Sequence, residues 1–113
     1  MAFSNGLSDA ELERLAFLAE EMGEALQCIG KIQRHGYESY NPVVDTGMTN
    51  RRELERELGD VHAAIQLLTG IGDICGNNML ARKAAKLKNV QRWMHHQPKE
   101  TDGAKQKPSV EAQ

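Results

Sequence analysis

Apolar residues recur every three or four positions along the first third of the chain, which is the spacing of one face of an α-helix. The repeat opens with Ser8 and Glu11, and this S-x-x-E pattern is typical of a capping box at a helix start. We therefore predict a long helix from about Asp9 to about Gln33. Its apolar positions are Leu12, Leu15, Leu18, Ala19, Met22, Ala25, Leu26 and Ile29.

A second helical repeat follows Asn50, which forms another capped start with Glu53 three residues later. It predicts a helix over roughly 51–68 or slightly beyond, whose apolar positions are Leu54, Leu58, Val61, Ala64, Ile65 and Leu68. The glycines and asparagines of GIGDICGNN end this helix. They offer Asn77 or Asn78 as the cap of a third helix from about Met79 to Met94.

The three helices, together with an aromatic content of only 4%, predict an all-α fold. Three helices form half of a bundle more readily than a whole one, so we expect a helical bundle completed by oligomerisation, as a homodimer or homotetramer. Residues 97–113 contain two prolines and one large aliphatic residue, Val110. We therefore expect one domain over 1–96 and a flexible C-terminal tail over 97–113.

Charge and composition exclude several classes of function. A net charge of -2 gives no general attraction to a nucleic-acid backbone or an anionic membrane, so a small ligand is the expected partner. No stretch approaches the roughly 18 apolar residues of a membrane span, and the N-terminal residues do not form a signal peptide. Two cysteines without metal-ligand spacing are typical of a reduced, cytoplasmic protein.

Two acidic pairs stand on the predicted helices. Glu21 and Glu24 are three residues apart, as are Glu57 and Asp60, so each pair lies on one helix face. At 100° per residue, Glu57 points into the apolar sector of its helix, whereas Glu21 and Asp60 lie at the edges of theirs. Packing the two helices together would gather these carboxylates, and clustered carboxylates without a soft ligand suit Mg²⁺ or Mn²⁺.

Basic side chains provide a competing explanation for the acidic residues. The candidates are Arg14, Lys31, Arg51, Arg52 and Arg56. We expect ordinary surface ion pairs for the acidic residues outside the two pairs, which are Glu11, Glu13, Glu53 and Glu55. For the two pairs themselves we expect a metal ion.

The order EExxE, a loop of about thirty residues and then ELGD resembles the MazG-like all-α nucleoside triphosphate pyrophosphatase superfamily over about 15–93. The resemblance implies a Mg²⁺-dependent hydrolase that cuts a (deoxy)nucleoside triphosphate at the α-phosphorus, giving the monophosphate and pyrophosphate. It assigns the metal to Glu21, Glu24, Glu57 and Asp60. It also implies that Glu20 assists the metal or the attacking water, so that Glu20 or Glu21 is the expected catalytic base.

The run KLKNVQRW extends the resemblance to the third helix. There Lys86, Asn89 and Arg92 match positions that contact the nucleotide in the family. The longer signature KxxExxD departs at Leu54, where the family has lysine, and Arg51 or Arg52 is a candidate replacement. The short, economical chain is also typical of a phage-encoded enzyme of nucleotide metabolism.

The base pocket is the least defined part of this prediction. Stacking candidates are His62, Trp93 and the aromatic residues Tyr37 and Tyr40 of a connection long enough to lie over a ligand. Two rival functions remain open. One is a phosphoribosyl-ATP pyrophosphatase with the same acidic site, and the other is a helical interaction module without chemistry.

Overall fold

A computed structural model describes residues 2–40, 43 and 47–98 of the chain. It contains three α-helices in this part, α1 (Asp9–His35), α2 (Asn50–Ile71) and α3 (Gly76–Asn89), and a 3-10 turn over Val90–Arg92 follows α3. The described residues contain no β-strand, so the predicted all-α class is confirmed.

The chain divides into two compact units, of which the first ends at Ile74 and the second begins at Cys75. The first unit contains α1 and α2, and the second contains α3 and the 3-10 turn. Of the tail predicted for 97–113, all but Gln97 and Pro98 lies outside the described residues. None of the described helices is both long and apolar enough to cross a membrane.

Helices α1 and α2 form an antiparallel hairpin, because ion pairs join opposite ends of the two helices. Near the start of α1, Arg14 Nε lies 2.6 Å from a carboxylate oxygen of Asp73, just beyond the end of α2. Near the end of α1, Lys31 Nζ lies 3.3 Å from Glu53 Oε1, in the first turn of α2. The middle turns of the helices therefore lie side by side.

The apolar core of the hairpin is small and consists of Ala25, Cys28, Ala64 and Leu68. Three of these four side chains are short, and Ala64 has no exposed surface, so the helix backbones can approach closely. Burial raises the pKa of the Cys28 thiol, which keeps it protonated at neutral pH. Both cysteines are free thiols.

The predicted capping box opens α1. Glu11 N–H donates to Ser8 Oγ over 3.1 Å, and Ser8 N–H donates to Glu11 Oε1 over 2.8 Å. Two of the backbone donors at the helix start are thereby satisfied. The helix runs two residues beyond the predicted end and stops at Gly36, which adopts a φ of 90° that favours glycine.

The cap of α2 is Thr49, so the prediction of Asn50 was wrong by one residue. Thr49 Oγ1 accepts the backbone N–H of Arg52 over 3.2 Å. Asn50 instead begins the helix and is buried, and its side-chain amide donates to the carbonyl of Gly36 over 3.1 Å. The Asn50 side chain therefore links the start of α2 to Gly36, at the beginning of the connection between α1 and α2.

Replacing Thr49 with alanine is expected to reduce the free energy of unfolding by about 1 kcal/mol, because the N–H of Arg52 loses its acceptor. Thr69→Ala is the matched control. The Thr69 hydroxyl donates only to the carbonyl of Gln66 three residues earlier, within the same helix. Urea unfolding of both variants measures the difference, and equal losses would contradict the capping role.

The junction after α2 also differs from the prediction. Gly72 ends α2 in the left-handed conformation, with a φ of 92°, and the N–H groups of Asp73 and Ile74 donate to the Leu68 carbonyl. Helix α3 then begins at Gly76 with Cys75 in the cap position and no side-chain cap, so neither Asn77 nor Asn78 caps it. The α-helix ends at Asn89, five residues before the predicted end, and continues as the 3-10 turn.

Candidate metal centre

Three carboxylates from α1 and α2 meet in the middle of the hairpin. Glu21 comes from α1, and Glu57 and Asp60 come from α2. One oxygen from each lies within 4.8 Å of the corresponding oxygens of the other two. The i, i+3 spacing puts Glu57 and Asp60 on one face of α2. The antiparallel packing of the hairpin brings Glu21 to that face.

Burial distinguishes this cluster from an ordinary acidic surface. Glu21 is only 9% exposed, and Glu57 and Asp60 are half-buried. The Oε1 atoms of both Glu21 and Glu57 are inaccessible to water and accept no hydrogen bond within the described part of the chain. Buried acceptors without a partner are destabilising. The two oxygens therefore point to a ligand that the described residues do not supply.

The pKa directions follow from this crowding. Burial is the main cause that raises the pKa of Glu21, and the negative charges of Glu24, Asp60, Glu20 and Glu57 raise it further. Burial likewise raises the pKa of Glu57, followed by a side-chain hydrogen bond with Glu24 and by the charges of Glu24 and Asp60. Each of these groups resists ionisation in the metal-free protein.

Basic side chains among the described residues form no ion pair with the cluster. Where the structure is described, four ion pairs hold basic side chains: Arg14–Asp73, Lys31–Glu53, Arg51–Glu38 and Arg52–Glu55. None of these pairs includes Glu21, Glu57 or Asp60. The charge of Arg56 lowers the pKa of Glu57, but it is the smallest of the five influences on that group. The surface ion pairs expected for Glu53 and Glu55 are confirmed.

The donor set fits a hard divalent cation. Mg²⁺ binds carboxylate oxygens at about 2.0 to 2.1 Å, so its neighbouring ligands lie about 3 to 4 Å apart. Oxygens within 4.8 Å of one another need only small side-chain rotations to reach that spacing. The Cys28 thiol is buried and protonated, so it does not provide a soft thiolate ligand. The residues present therefore suit Mg²⁺ or Mn²⁺ rather than a soft metal.

The two remaining acidic residues of the EExxE run occupy different surroundings. Glu24 is half-buried, and its side chain interacts with Glu57 across the hairpin. Its carboxylate lies at the edge of the group formed by Glu21, Glu57 and Asp60. Glu20 is exposed, and it influences the cluster through its charge on Glu21. Three of the four predicted metal ligands are thus brought together, with the fourth beside them.

A cavity of about 450 Å³ lies at the connection end of the hairpin. It is lined by Lys31, Arg34, His35, Ser39, Tyr40, Asn50 and Glu53. Glu53 precedes Glu57 by about one helical turn, so the cavity wall begins about 6 Å along α2 from the carboxylates. Its volume is in the range of small-molecule sites. The sequence analysis missed Arg34 and His35, although Lys31, Arg34 and His35 have the i, i+3, i+4 spacing of one helix face.

The structure separates the aromatic candidates for base stacking. Tyr40 lines the cavity, whereas the ring of Tyr37 lies 4.3 Å from the guanidinium carbon of Arg51 and is occupied by that contact. His62 is exposed on α2, and Trp93 is 75% exposed in the second unit. Tyr40 is the one of the four that lines this cavity.

The predicted nucleotide contacts lie in the second unit. Lys86 and Asn89 are exposed on α3, and Arg92 is exposed in the 3-10 turn. In the first unit, Leu54 is half-buried where the family signature has lysine. Arg51 and Arg52, suggested as replacements for that lysine, pair with Glu38 and Glu55 instead.

Comparison of the chain with protein-family models, with curated proteins and with solved structures finds no match.

Proposed function

We propose that the chain is a Mg²⁺-dependent nucleoside triphosphate pyrophosphohydrolase that releases pyrophosphate from a (deoxy)nucleoside triphosphate. The observation that supports this most is the buried oxygen pair of Glu21 and Glu57, which has no partner within the described residues. Paired carboxylates on two adjacent helices, with the EExxE and ELGD motifs in this order, are the pattern of the MazG-like superfamily.

The metal ligands are Glu21, Glu57 and Asp60, with Glu24 completing the set. A Mg²⁺ ion in this position supplies positive charge to phosphate oxygens and acidifies water. The four carboxylates hold it on the rigid faces of two helices. Burial and the mutual repulsion of the carboxylates raise the pKa of Glu21 and Glu57, and a bound cation would offset both.

Exposure assigns different roles to the neighbours Glu20 and Glu21. Glu21 is buried with an unpartnered oxygen, which suits a metal ligand rather than a group that exchanges protons with solvent. Glu20 is exposed at the rim of the cluster and accessible to water. We therefore assign to Glu20 the role of orienting the attacking water and accepting its proton.

The cavity beside the carboxylates is the proposed location of the remainder of the substrate. Arg34 and His35 supply donors for phosphate or sugar oxygens, and Tyr40 supplies a ring for stacking on a base. Lys31 is held by Glu53 at the wall of the same cavity. Of the cavity wall, Glu53 lies about one helical turn from the proposed metal ligand Glu57.

The test is pyrophosphate release from a panel of ribo- and deoxyribonucleoside triphosphates, with Mg²⁺ and with chelator. We expect metal-dependent formation of the monophosphate and pyrophosphate, which chromatography separates from the diphosphate and phosphate of γ-cleavage. Formation of the diphosphate would contradict attack at the α-phosphorus. Phosphoribosyl-ATP is assayed beside the panel: its hydrolysis alone would favour the rival enzyme, and the absence of any hydrolysis would favour an interaction module.

A further inference from the structure

The cavity at the connection end of the hairpin has a polar and charged lining. None of the seven described side chains that line it is aliphatic, and six of them carry N–H or O–H donors. Sites for small ligands are usually lined by hydrophobic and aromatic side chains, with only a few polar groups. The lining of this cavity instead suits a ligand that is rich in negatively charged oxygen atoms.

Arg34 supplies the positive charge that the lining leaves uncompensated. Lys31 is paired with Glu53, whose Oε1 lies 3.3 Å from Lys31 Nζ, and Glu53 is the one acidic residue among the described lining side chains. Arg34 forms no ion pair within the described part of the chain. A guanidinium presents its N–H donors in a fixed plane, which matches the oxygens of a phosphate group. The cavity therefore carries a net positive charge.

The Arg34 side chain runs back along α1 toward the carboxylate cluster. Its Nη1 would lie 3.6 Å from a Cβ added at Gly30, four residues earlier in the helix. Long helical side chains lean toward the helix start in this way. Because α1 runs from the cluster to the cavity, the lean brings the guanidinium roughly 6 Å closer to the cluster along the helix axis than the Arg34 Cα is.

Hydrogen bonds hold the part of the cavity wall that the connection forms. The Ser39 carbonyl accepts the backbone N–H of Asn50 over 2.8 Å. The buried side-chain amide of Asn50 donates to the Gly36 carbonyl over 3.1 Å. Ser39 and Tyr40 are thereby kept next to the start of α2. A site whose groups are already in place loses less conformational entropy when a ligand binds.

We propose that this cavity binds a second phosphate group of the substrate, in addition to the phosphate at the metal. Arg34 and the remaining donors of Lys31 bind its oxygens. A neutral nucleoside in the cavity would leave the charge of Arg34 unmatched, whereas a phosphate balances it. The second phosphate comes from the terminal end of the triphosphate or from the sugar. Only this origin rests on the proposed function, because the binding of phosphate by the cavity requires neither the metal nor hydrolysis.

The first test is binding of inorganic pyrophosphate to the metal-free protein after the chelator has been removed. Calorimetry at about 0.15 M salt measures it, because charges more than about 8 Å apart are then largely screened. We expect Arg34→Gln to weaken binding by about tenfold or more, as for other hydrogen bonds between charged groups. Glu53→Gln should instead strengthen binding, because Lys31 is released from its carboxylate. A variant that only damaged the cavity would not strengthen it.

Arg56→Gln is the matched control for the first test. It removes one positive charge from an exposed position on α2 that does not line the cavity. We expect its affinity for pyrophosphate to stay within about twofold of the wild-type value. Equal binding by wild type and Arg34→Gln, or no binding by the wild-type protein, would overturn the proposal. Weaker binding by Glu53→Gln would also overturn it. None of these results depends on whether the chain hydrolyses a nucleotide.

A second experiment identifies which phosphate of the substrate occupies the cavity. It compares, in Mg²⁺, a nucleoside triphosphate with a non-hydrolysable α,β-methylene bridge and the same compound with an added 3′-phosphate. If the terminal phosphates occupy the cavity, Arg34→Gln weakens binding of both compounds. If a sugar phosphate occupies it, the 3′-phosphate strengthens binding to the wild-type protein, and Arg34→Gln abolishes only that gain. No effect of Arg34→Gln on either compound would overturn the proposal, even if the chain releases pyrophosphate from nucleotides.

Discussion

Replacing Glu57 with glutamine is expected to reduce Mg²⁺-dependent pyrophosphate release by at least about 10²-fold while the chain stays folded. Glutamine keeps the size of the side chain but removes one negative charge and one strong metal ligand. Loss of a residue that only hydrogen-bonds to a metal ligand costs about 10- to 100-fold in affinity or activity. Loss of a metal ligand itself is therefore expected to cost at least as much. Steady-state rates at saturating Mg²⁺ measure the effect.

Glu55→Gln is the matched control for this variant. The substitution makes the same chemical change on the same helix, but the Glu55 carboxylate is exposed and pairs with Arg52, three residues earlier. Surface pairs of this kind contribute little to stability, and Glu55 is not part of the cluster. We expect its rate within about twofold of the wild-type rate, as for other surface changes. A Glu57→Gln enzyme with wild-type activity would refute the metal assignment.

Mg²⁺ is expected to raise the melting temperature of the wild-type protein by roughly 10 °C or more when its concentration is 100 times its dissociation constant. Binding at that ratio stabilises the folded state by about 2.7 kcal/mol, and each kcal/mol shifts the melting temperature of a small domain by about 4 to 8 °C. The unpartnered oxygens of Glu21 and Glu57 provide the ligands. Scanning calorimetry with Mg²⁺ and with chelator measures the shift.

The same carboxylates set the pH dependence of stability in chelator. A raised pKa means that the folded state holds its protons more tightly than the unfolded chain does. The contribution of Glu21 and Glu57 to stability is therefore present below their ordinary pKa of 4.5 and is lost as the pH rises through their raised values. We expect Glu57→Gln to be more stable than the wild-type protein in chelator at neutral pH. The free energy of unfolding of Glu57→Gln should also decrease less than that of the wild-type protein as the pH rises.

These stability measurements have two internal controls. Ca²⁺ and Mg²⁺ should both stabilise the wild-type protein, because both prefer oxygen ligands. Neither should change the melting temperature of Glu57→Gln by more than a small part of the wild-type shift. If Glu57→Gln were less stable than the wild-type protein in chelator at neutral pH, the repulsion inferred within the cluster would be wrong.

Local sequence signals predicted the start of a helix correctly where the capping residues formed only the cap. Ser8 and Glu11 form the reciprocal capping box that their spacing indicates, and the start of α1 was correct. At α2, Thr49 and Asn50 are both good caps, and the long-range hydrogen bond from Asn50 to Gly36 decided between them. Before α3, the chain begins the helix at Gly76 without a side-chain cap, which contradicts a rule based on capping preference.

The spacing of 100° per residue placed the acidic residues on the correct helix faces but underestimated the burial of Glu21. Glu57 was predicted to point inward and Glu21 to lie at an edge, yet Glu21 is the more buried of the two. The prediction treated all apolar positions of α1 as one face. The structure divides them between the side that packs against α2 and an exposed side, and Glu21 lies on the side that packs against α2.

The sequence predicted that packing the helices would gather the carboxylates, but it did not show which of them would meet. Spacing showed that Glu57 and Asp60 share a face, but only the register of the hairpin shows that Glu21 meets them. The cavity was missed for the same reason, because its lining comes from three parts of the chain: the end of α1, Ser39 with Tyr40, and the start of α2. The unpartnered state of two buried oxygens depends on every neighbouring side chain, so no single motif could indicate it.

The ion pairs at the two ends of the hairpin determine where the helices can separate. Arg14–Asp73 and Lys31–Glu53 hold the ends together, whereas the carboxylates repel one another in the middle. Without metal, transient opening should therefore be concentrated in the central turns and should not require unfolding at the ends. Such transient opening gives a hydrated cation access to ligands that are buried in the closed hairpin. Amide hydrogen exchange in the central turns would slow once the cation is bound.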